Sequence, residues 1–270
     1  MKRMRPLLGT FVEIGVQSGA GAERALDAAF DAVAEVQGLM SFHDPHSDLS
    51  RLNQAGGGEV ALHPQIVRVL RLARAMTQAS AGLFNCTVGG ALVRRGVLPD
   101  HGGRAPLDCG KAGDIEIRGT QVRLRRPVRV TLDGIAKGYA VDCAIRAMQR
   151  HGAGAGWVNA GGDLRAFGDL ALPVHRREMD GSLRPMGAIM DAAIATSCVR
   201  VVHDQAYPAW IVGESRAPQV GVWSVMAHSA WRADALTKVA GLADDGERAG
   251  LIERLGGRWV SHADGVAACA

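Results

Sequence analysis

Hydrophobic residues recur along the chain at the two spacings that distinguish strands from helices. From Thr10 to Val16 they alternate with polar residues, which predicts a strand with one buried face. Over Leu26–Met40 and Ile66–Met76 they recur every three or four positions, which predicts two amphipathic helices. Pro64 suits the first turn of the second helix, because a backbone N–H there has no partner within the helix.

Shorter segments complete the predicted elements. They are a hairpin with strands Ile115–Ile117 and Val122–Leu124, a strand Val128–Leu132, a helix Ile135–Gln149, a strand Trp157–Asn159, and helices Ala233–Ala243 and Glu247–Leu255. The strands and helices follow no regular βαβ order, so we predict an α+β fold with mixed sheets and flanking helices. No linker composition divides the chain, and we expect residues 1–270 to form a single unit.

Composition narrows the class of protein. With 270 residues, 47% of them hydrophobic and 21% charged, the chain is long and apolar enough to bury a core. The net charge of +4 favours anionic partners in general, but the arginines are scattered with few aromatic residues among them, so no nucleic-acid partner is predicted. The five cysteines include no C-x-x-C pair and indicate neither a disulfide framework nor a zinc site.

The start of the chain has basic residues but no signal-peptide pattern. Gly9, Thr10 and Glu13 interrupt the apolar run that such a peptide needs, and no lipid-bearing cysteine follows. By composition the chain is not membrane-spanning. We therefore predict a protein without a membrane span, located in the cytoplasm.

Two glycine-containing segments are candidates for ligand binding. In Thr131–Asp142 a strand leads into a helix through Gly134, where free backbone N–H groups and the helix dipole favour an anion, and Lys137 adds a positive charge. In Val158–Arg165 paired glycines allow the backbone to approach a flat ligand between Asn159 and Asp163. Taken alone, each segment is more typical of an ordinary turn than of a binding site.

A third segment, Ala195-Thr196-Ser197, supplies two hydroxyl groups after an apolar run. Such hydroxyls are also common as helix caps, so this segment too has a purely structural interpretation.

In their order and spacing, these segments resemble the ApbE-like FAD:protein FMN transferases. The resemblance includes Met40-Ser41 ahead of Ser47–Asn53, then Gly82–Gly89 and Ala233–Thr237, and runs from Pro6 nearly to the end of the chain. It implies an α+β protein that binds FAD in a cleft and, with Mg²⁺, moves FMN onto a Thr or Ser hydroxyl of an acceptor flavoprotein, releasing AMP. Two alternatives stay open: a relative that binds FAD without transferring FMN, and an FAD pyrophosphatase that uses water as acceptor.

The resemblance also implies residue roles. The residues implied to bind the nucleotide are Met40, Leu83, Phe84, Asn85, Thr131, Lys137, Asn159, Gly161, Gly162, Asp163, Thr196 and Ser197. The residues implied to hold Mg²⁺ are Gly134, through its carbonyl, together with Asp234 and Thr237.

The chain departs from the family pattern in several places. Asn85 and Thr131 stand where the family usually has acids, and Asp133 replaces the first glycine of a Gly-Gly pair. The usual His-x-x-Asp-Pro-x-Thr-Gly stretch corresponds to residues 210–217, which lack the histidine and the acid. The remaining histidines, such as His203 and His228, are isolated, and we therefore assign no catalytic residue.

The metal motif, usually Asp-Ala-x-x-Thr, reads Asp234-Ala235-Leu236-Thr237-Lys238. Thr237 lies three residues after Asp234 and could serve as an oxygen ligand. Alternatively, Lys238 lies one helical turn after Asp234, so its ammonium could take the cation's place and let FAD bind without Mg²⁺. Both hypotheses stay open.

Overall fold

The computed structural model describes residues 1–17, 19, 21–200, 211–214 and 216–261. The α-helices are α1 (Ala22–Met40), α2 (Asp48–Gln54), α3 (Pro64–Ala79), α4 (Gly89–Arg94), α5 (Ala136–Arg150), α6 (Ala230–Leu242) and α7 (Asp245–Arg254). The strands are β1 (Lys2–Leu7), β2 (Thr10–Val16), β3 (Val60–Ala61), β4 (Ile115–Arg118), β5 (Gln121–Leu124), β6 (Gly156–Ala160), β7 (Asp163–Phe167), β8 (Leu172–Arg177), β9 (Leu183–Ile189), β10 (Ala193–Val199), β11 (Gly221–Ala227) and β12 (Gly257–Val260).

A seven-stranded antiparallel sheet organises the fold in the order β1-β2-β6-β7-β10-β11-β12. The strand predicted over Thr10–Val16 is confirmed as β2. Its residues Val12 and Ile14 are fully buried, and Ile14 lies opposite Val158 of β6. β10 lies between β7 and β11 and pairs with both of them. This arrangement brings residues from distant parts of the chain onto neighbouring strands.

Two smaller sheets complete the strand pairing. The predicted hairpin is confirmed as β4 and β5, which join β3 in a three-stranded sheet, and β8 pairs with β9. Because helices accompany these mainly antiparallel sheets, the predicted α+β fold is confirmed.

The two predicted amphipathic helices are confirmed as α1 and α3, and their apolar faces pack into one main core. Leu26 and Val33 of α1 and Ile66 and Leu70 of α3 are all fully buried. Pro64 is the first residue of α3, as its position predicted. Burial of such side chains stabilises the fold by about 1.5–3 kcal/mol each.

Helices α5 and α6 pack closely because Gly138 has no side chain. A Cβ atom at this position would lie 2.3 Å from the carbonyl oxygen of Ala230 and 2.8 Å from Cα of Trp231. The backbones therefore touch, and the start of α5 is held against the start of α6.

The prediction of a strand over residues 128–132 is wrong. This segment forms a single isolated bridge, between Arg129 and Val88. At Val130 the backbone N–H and C=O bond the side chain of Asn53 instead, at 2.7 and 2.8 Å. A side-chain amide satisfies the backbone here, so no strand ladder forms.

Within the described ranges, no helix has the length and apolar character needed to cross a bilayer. The single-unit organisation and the cytoplasmic location stay predictions.

Candidate functional site

The turn before α5 brings three parts of the chain together. The N–H groups of Ile135 and Ala136 both donate to the Leu132 carbonyl, at 2.9 and 2.7 Å, and close the turn. A Cβ atom on Gly134 would lie 3.3 Å from the Phe84 ring and 3.4 Å from Cε of Lys238. Gly134 therefore lets the loop carrying Phe84 and the helix carrying Lys238 meet at the start of α5.

Within this turn, Thr131 and Asp133, two residues that depart from the family pattern, are hydrogen-bonded to each other. The Thr131 hydroxyl donates to Oδ2 of Asp133 at 3.0 Å, and Thr131 itself is buried. The hydroxyl is thus engaged inside the turn, and contact with a nucleotide stays a prediction for Thr131.

Lys137, in the first turn of α5, forms an ion pair with Asp163 at the start of β7. Its Nζ lies 3.9 Å from Oδ2 of Asp163, an oxygen with no hydrogen-bond partner among the described residues. The pKa of Asp163 is raised to about 7: burial is the main cause, the Asp234 carboxylate also raises this pKa, and Lys137 and Lys238 lower it. Asp163 in turn raises the pKa of Lys137.

A second lysine–aspartate pair lies on α6. Lys238 donates to Oδ1 of Asp234, whose other oxygen accepts the Gly138 N–H at 3.1 Å. The same ammonium donates to the hydroxyls of Ser197 at 3.3 Å and Thr237 at 3.2 Å. Lys238 therefore has three oxygen partners, from α6 and β10.

The two pairs share a pattern of exposure. The side chains of Lys137 and Lys238 are 38% and 20% exposed, whereas those of Asp163 and Asp234 are 5% and 0% exposed. A ligand arriving from solvent would meet the positive ends first. The site is therefore suited to an anion, although its formal charges sum to zero.

The three residues predicted to hold Mg²⁺ are brought together, but around Lys238. Gly134 lies beside the lysine side chain, since a Cβ atom on it would be 3.4 Å from Cε of Lys238, and Asp234 and Thr237 bond its ammonium. Mg²⁺ needs an octahedron of oxygens at about 2.0–2.1 Å, and a lysine ammonium already lies against one oxygen of Asp234. The residues as arranged do not fit Mg²⁺. No group of three or more His, Cys, Asp or Glu side chains in the described part of the chain is placed to hold a metal ion.

The paired glycines form a two-residue hairpin turn between β6 and β7. Gly161 and Gly162 have φ angles of +62° and +104°, which only glycine adopts freely. A Cβ atom on Gly161 would also lie 2.7 Å from the Thr10 hydroxyl, and the Asn159 side chain accepts the Gly162 N–H at 3.1 Å. The turn thus explains these glycines structurally, while their contact with a flavin stays a prediction.

The two hydroxyls of β10 project to opposite faces of the sheet, as neighbours on a strand do. The Ser197 hydroxyl lies 2.7 Å from that of Thr237 and is one of the three oxygens around the Lys238 ammonium. The Thr196 hydroxyl bonds Ser224 of β11 at 2.9 Å. Because both residues lie within a strand, the interpretation of this segment as a helix cap is wrong.

Of the residues predicted to line the nucleotide cleft, Phe84 lies next to the site, because a Cβ atom on Gly134 would be 3.3 Å from its ring. Asn85 is buried, and its amide donates to the Gly110 carbonyl at 3.0 Å and accepts the Thr87 N–H at 2.9 Å. These bonds fix the loop. Met40 ends α1 inside the main core, and Leu83 packs against that core while partly exposed.

Asp142 positions the site but was missed by the sequence reasoning. It is fully buried in α5, pairs with Arg165 of β7, and accepts the N–H groups of Ala230 and Trp231, both at 3.0 Å. It therefore caps the start of α6 from a different helix, since Ser229, the residue just before α6, makes no side-chain cap. The sequence feature that could have revealed Asp142 is an acidic residue within an otherwise apolar helical segment, since a buried charge needs partners.

The histidine and acid missing from residues 210–217 stay a sequence inference. Trp210 and Ser215 lie outside the described residues, and so does His203. His228 follows β11 and is exposed. The structure therefore adds no candidate for a catalytic histidine within its described ranges.

A family model described as the ApbE family matches residues 8–259. The chain belongs to the ApbE family. It is 30% identical over 180 residues to an FAD:protein FMN transferase of Rhodobacter capsulatus and 25% identical over 185 residues to one of Treponema pallidum. These alignments cover 60% and 62% of this chain but 34% and 51% of the relatives, so the chain spans a third to a half of their length.

The ApbE protein of Thermotoga maritima has the same fold. Its crystal structure superposes with a TM-score of 0.80 at 24% identity, covering 95% of this chain and 92% of that one. The ApbE-family match includes α5, β7 and α6, and therefore every residue of the two lysine–aspartate pairs.

Proposed function

We propose that this ApbE-family chain is an FAD:protein FMN transferase, which moves FMN from FAD to a Thr or Ser hydroxyl of an acceptor flavoprotein and releases AMP. The observation that carries the proposal is the pair of lysines at the start of α5 and on α6. Their ammonium ends are partly exposed, whereas their carboxylate partners are buried. Such an arrangement suits the diphosphate that joins the two halves of FAD. Support also comes from the two relatives named as transferases.

The proposed reaction is a phosphoryl-group transfer without oxidation or reduction. The acceptor hydroxyl oxygen attacks the phosphorus on the FMN side and forms a phosphoester bond, while the P–O bond to AMP breaks and its electron pair stays on the AMP phosphate. The hydroxyl proton passes to solvent or to a base that we do not assign. Lys137 would donate to the diphosphate, and Lys238, whose donors are taken by Asp234, Ser197 and Thr237, would place a positive charge beside the leaving phosphate.

We do not assign a magnesium ion to this site. The oxygens predicted to hold the ion surround the Lys238 ammonium. In this proposal the two ammoniums supply the positive charge that the diphosphate requires.

The proposal is tested by incubating the protein with FAD, Mg²⁺ and a flavoprotein acceptor domain, followed by mass spectrometry of the acceptor and chromatography of released nucleotides. Transfer yields an acceptor carrying FMN and an equal amount of AMP. An acceptor with alanine at its target hydroxyl is the control. FAD binding without an adduct would favour a non-transferring relative, and free FMN with AMP would favour a pyrophosphatase.

A matched pair of variants tests the role of the α5 lysine. Lys137→Met should raise the Kd for FAD roughly tenfold or more, as expected for loss of one charge-assisted contact. Lys111→Met is the control, because Lys111 is an exposed lysine on the segment before β4. Equal affinity of the two variants would argue against diphosphate recognition by Lys137.

A further inference from the structure

The ammonium of Lys238 has all of its hydrogen-bonding capacity in use. It carries three donors, and three oxygens receive them: Oδ1 of Asp234 and the hydroxyls of Ser197 and Thr237. These oxygens come from a carboxylate and two hydroxyls, which are the ligand types that hard cations also prefer. Three oxygens thus surround a position suited to a cation, and the Lys238 ammonium occupies it.

A cation at this position is required by Asp234. The Asp234 side chain is fully buried, and one of its oxygens receives only an uncharged donor, the Gly138 N–H. A buried carboxylate without a counter-charge is strongly destabilising. Lys238 lies one helical turn away and supplies that charge without any ion from solution.

The lysine side chain also occupies the space next to the turn before α5. A Cβ atom on Gly134 would lie 3.4 Å from Cε and 3.6 Å from Cγ of Lys238. The aliphatic part of Lys238 thus packs along the backbone of Gly134, the residue predicted to offer its carbonyl to Mg²⁺. A dication beside Asp234 would have to displace this side chain.

We propose that Lys238 is a cation carried by the chain itself in place of a divalent metal ion, so that this protein binds FAD without metal, and that a metal site lies latent beneath the lysine. This inference rests on the proposed function, because it takes the FAD diphosphate as the ligand. In Lys238→Thr the Asp234 carboxylate is freed, and a hydroxyl at residue 238 lies on the same helical face. Together with Thr237 and Ser197, these groups would form an oxygen site able to accept Mg²⁺.

The first test uses the unaltered protein. Isothermal titration with FAD is performed once in excess EDTA and once in millimolar Mg²⁺, and we expect Kd values that agree within about twofold, a free-energy difference below about 0.5 kcal/mol. A loss of roughly tenfold or more in EDTA would overturn the inference while leaving the proposed function intact. Absence of FAD binding in both buffers would overturn the proposed function and the inference together.

The second test compares Lys238→Thr with Lys111→Thr. We expect Lys238→Thr to bind FAD roughly tenfold more weakly than the unaltered protein in EDTA and to recover affinity in Mg²⁺, because a metal then supplies the missing charge. Lys111→Thr should match the unaltered protein in both buffers.

Metal binding can also be measured directly, without FAD. Electron paramagnetic resonance of Mn²⁺, used as a spectroscopic substitute for Mg²⁺, should show bound metal in Lys238→Thr and none in the unaltered protein or in Lys111→Thr. If Lys238→Thr binds no Mn²⁺ and its affinity for FAD does not respond to Mg²⁺, the latent site does not exist. If Lys238→Thr does not fold, the titration of the unaltered protein decides the inference.

Discussion

Asp142 should contribute more to stability than any single cap on the surface of the protein. Its carboxylate is fully buried and accepts two backbone N–H groups at the start of α6, both at 3.0 Å, while pairing with Arg165, whose side chain is 15% exposed. Replacing it with alanine leaves two N–H groups and a largely buried guanidinium without their partner. Breaking one side of such a buried pair costs about 3–5 kcal/mol.

We therefore expect Asp142→Ala to lower the free energy of unfolding by about 3–5 kcal/mol. Asp142→Asn keeps one oxygen acceptor but loses the charge, and should lower it by ~2 kcal/mol. The measurement is urea denaturation followed by tryptophan fluorescence, with extrapolation to water. Because α6 carries Asp234 and Lys238, weaker FAD binding should accompany the loss of stability.

The matched control is Asp180→Ala, in the β8–β9 hairpin. Asp180 is exposed and accepts the N–H and hydroxyl of Ser182, at 2.9 and 2.6 Å. Its removal should leave the unfolding curve nearly unchanged. The reasoning would be refuted if Asp142→Ala lowered the free energy of unfolding by less than about 1 kcal/mol, since removing one partner of a buried ion pair should destabilise the fold by more than that.

Two further predictions concern the charge and the packing at the site. The pKa of Asp163 is raised from 3.8 to about 7, chiefly by burial, so between these values the carboxyl is ionised in the unfolded chain but still largely protonated in the folded protein. The protein should therefore lose stability relative to Asp163→Asn as pH rises across that range, and urea curves at several pH values that keep a constant difference would contradict this. Gly138→Ala should cost about 3 kcal/mol, because its Cβ would lie 2.3 Å from the Ala230 carbonyl oxygen. Gly38→Ala is the control, since a Cβ atom there meets nothing within 4 Å, and equal thermal stability of the two variants would exclude the clash.

Residue pairs close in sequence could be predicted from the sequence. The spacing of Asp234 and Lys238 placed both on one helical face, and their side chains do form an ion pair. The stripe from Leu26 to Met40 likewise sufficed to predict α1, because helical periodicity depends only on neighbouring residues. The ApbE family was indicated separately, by the resemblance of the ordered motifs to those of the family, and the family match confirms it.

Pairs distant in sequence could not be predicted. Ser197 meets Lys238 only because β10 lies beside α6, and Asp163 meets Lys137 only because β7 passes the start of α5. Residues 128–132 have the composition of a strand, yet the distant side chain of Asn53 takes up the backbone bonds of Val130.

The sequence by itself determined the helices with clear apolar stripes, the β4–β5 hairpin, the α+β class and the identity of the charged residues at the site. Only the tertiary structure decided which of these charges are buried and which oxygens surround Lys238. The physical reason is that helical and hairpin contacts are set within a few residues, whereas the desolvation and pairing of Asp142, Asp163 and Asp234 depend on how the sheet and helices α5 and α6 pack.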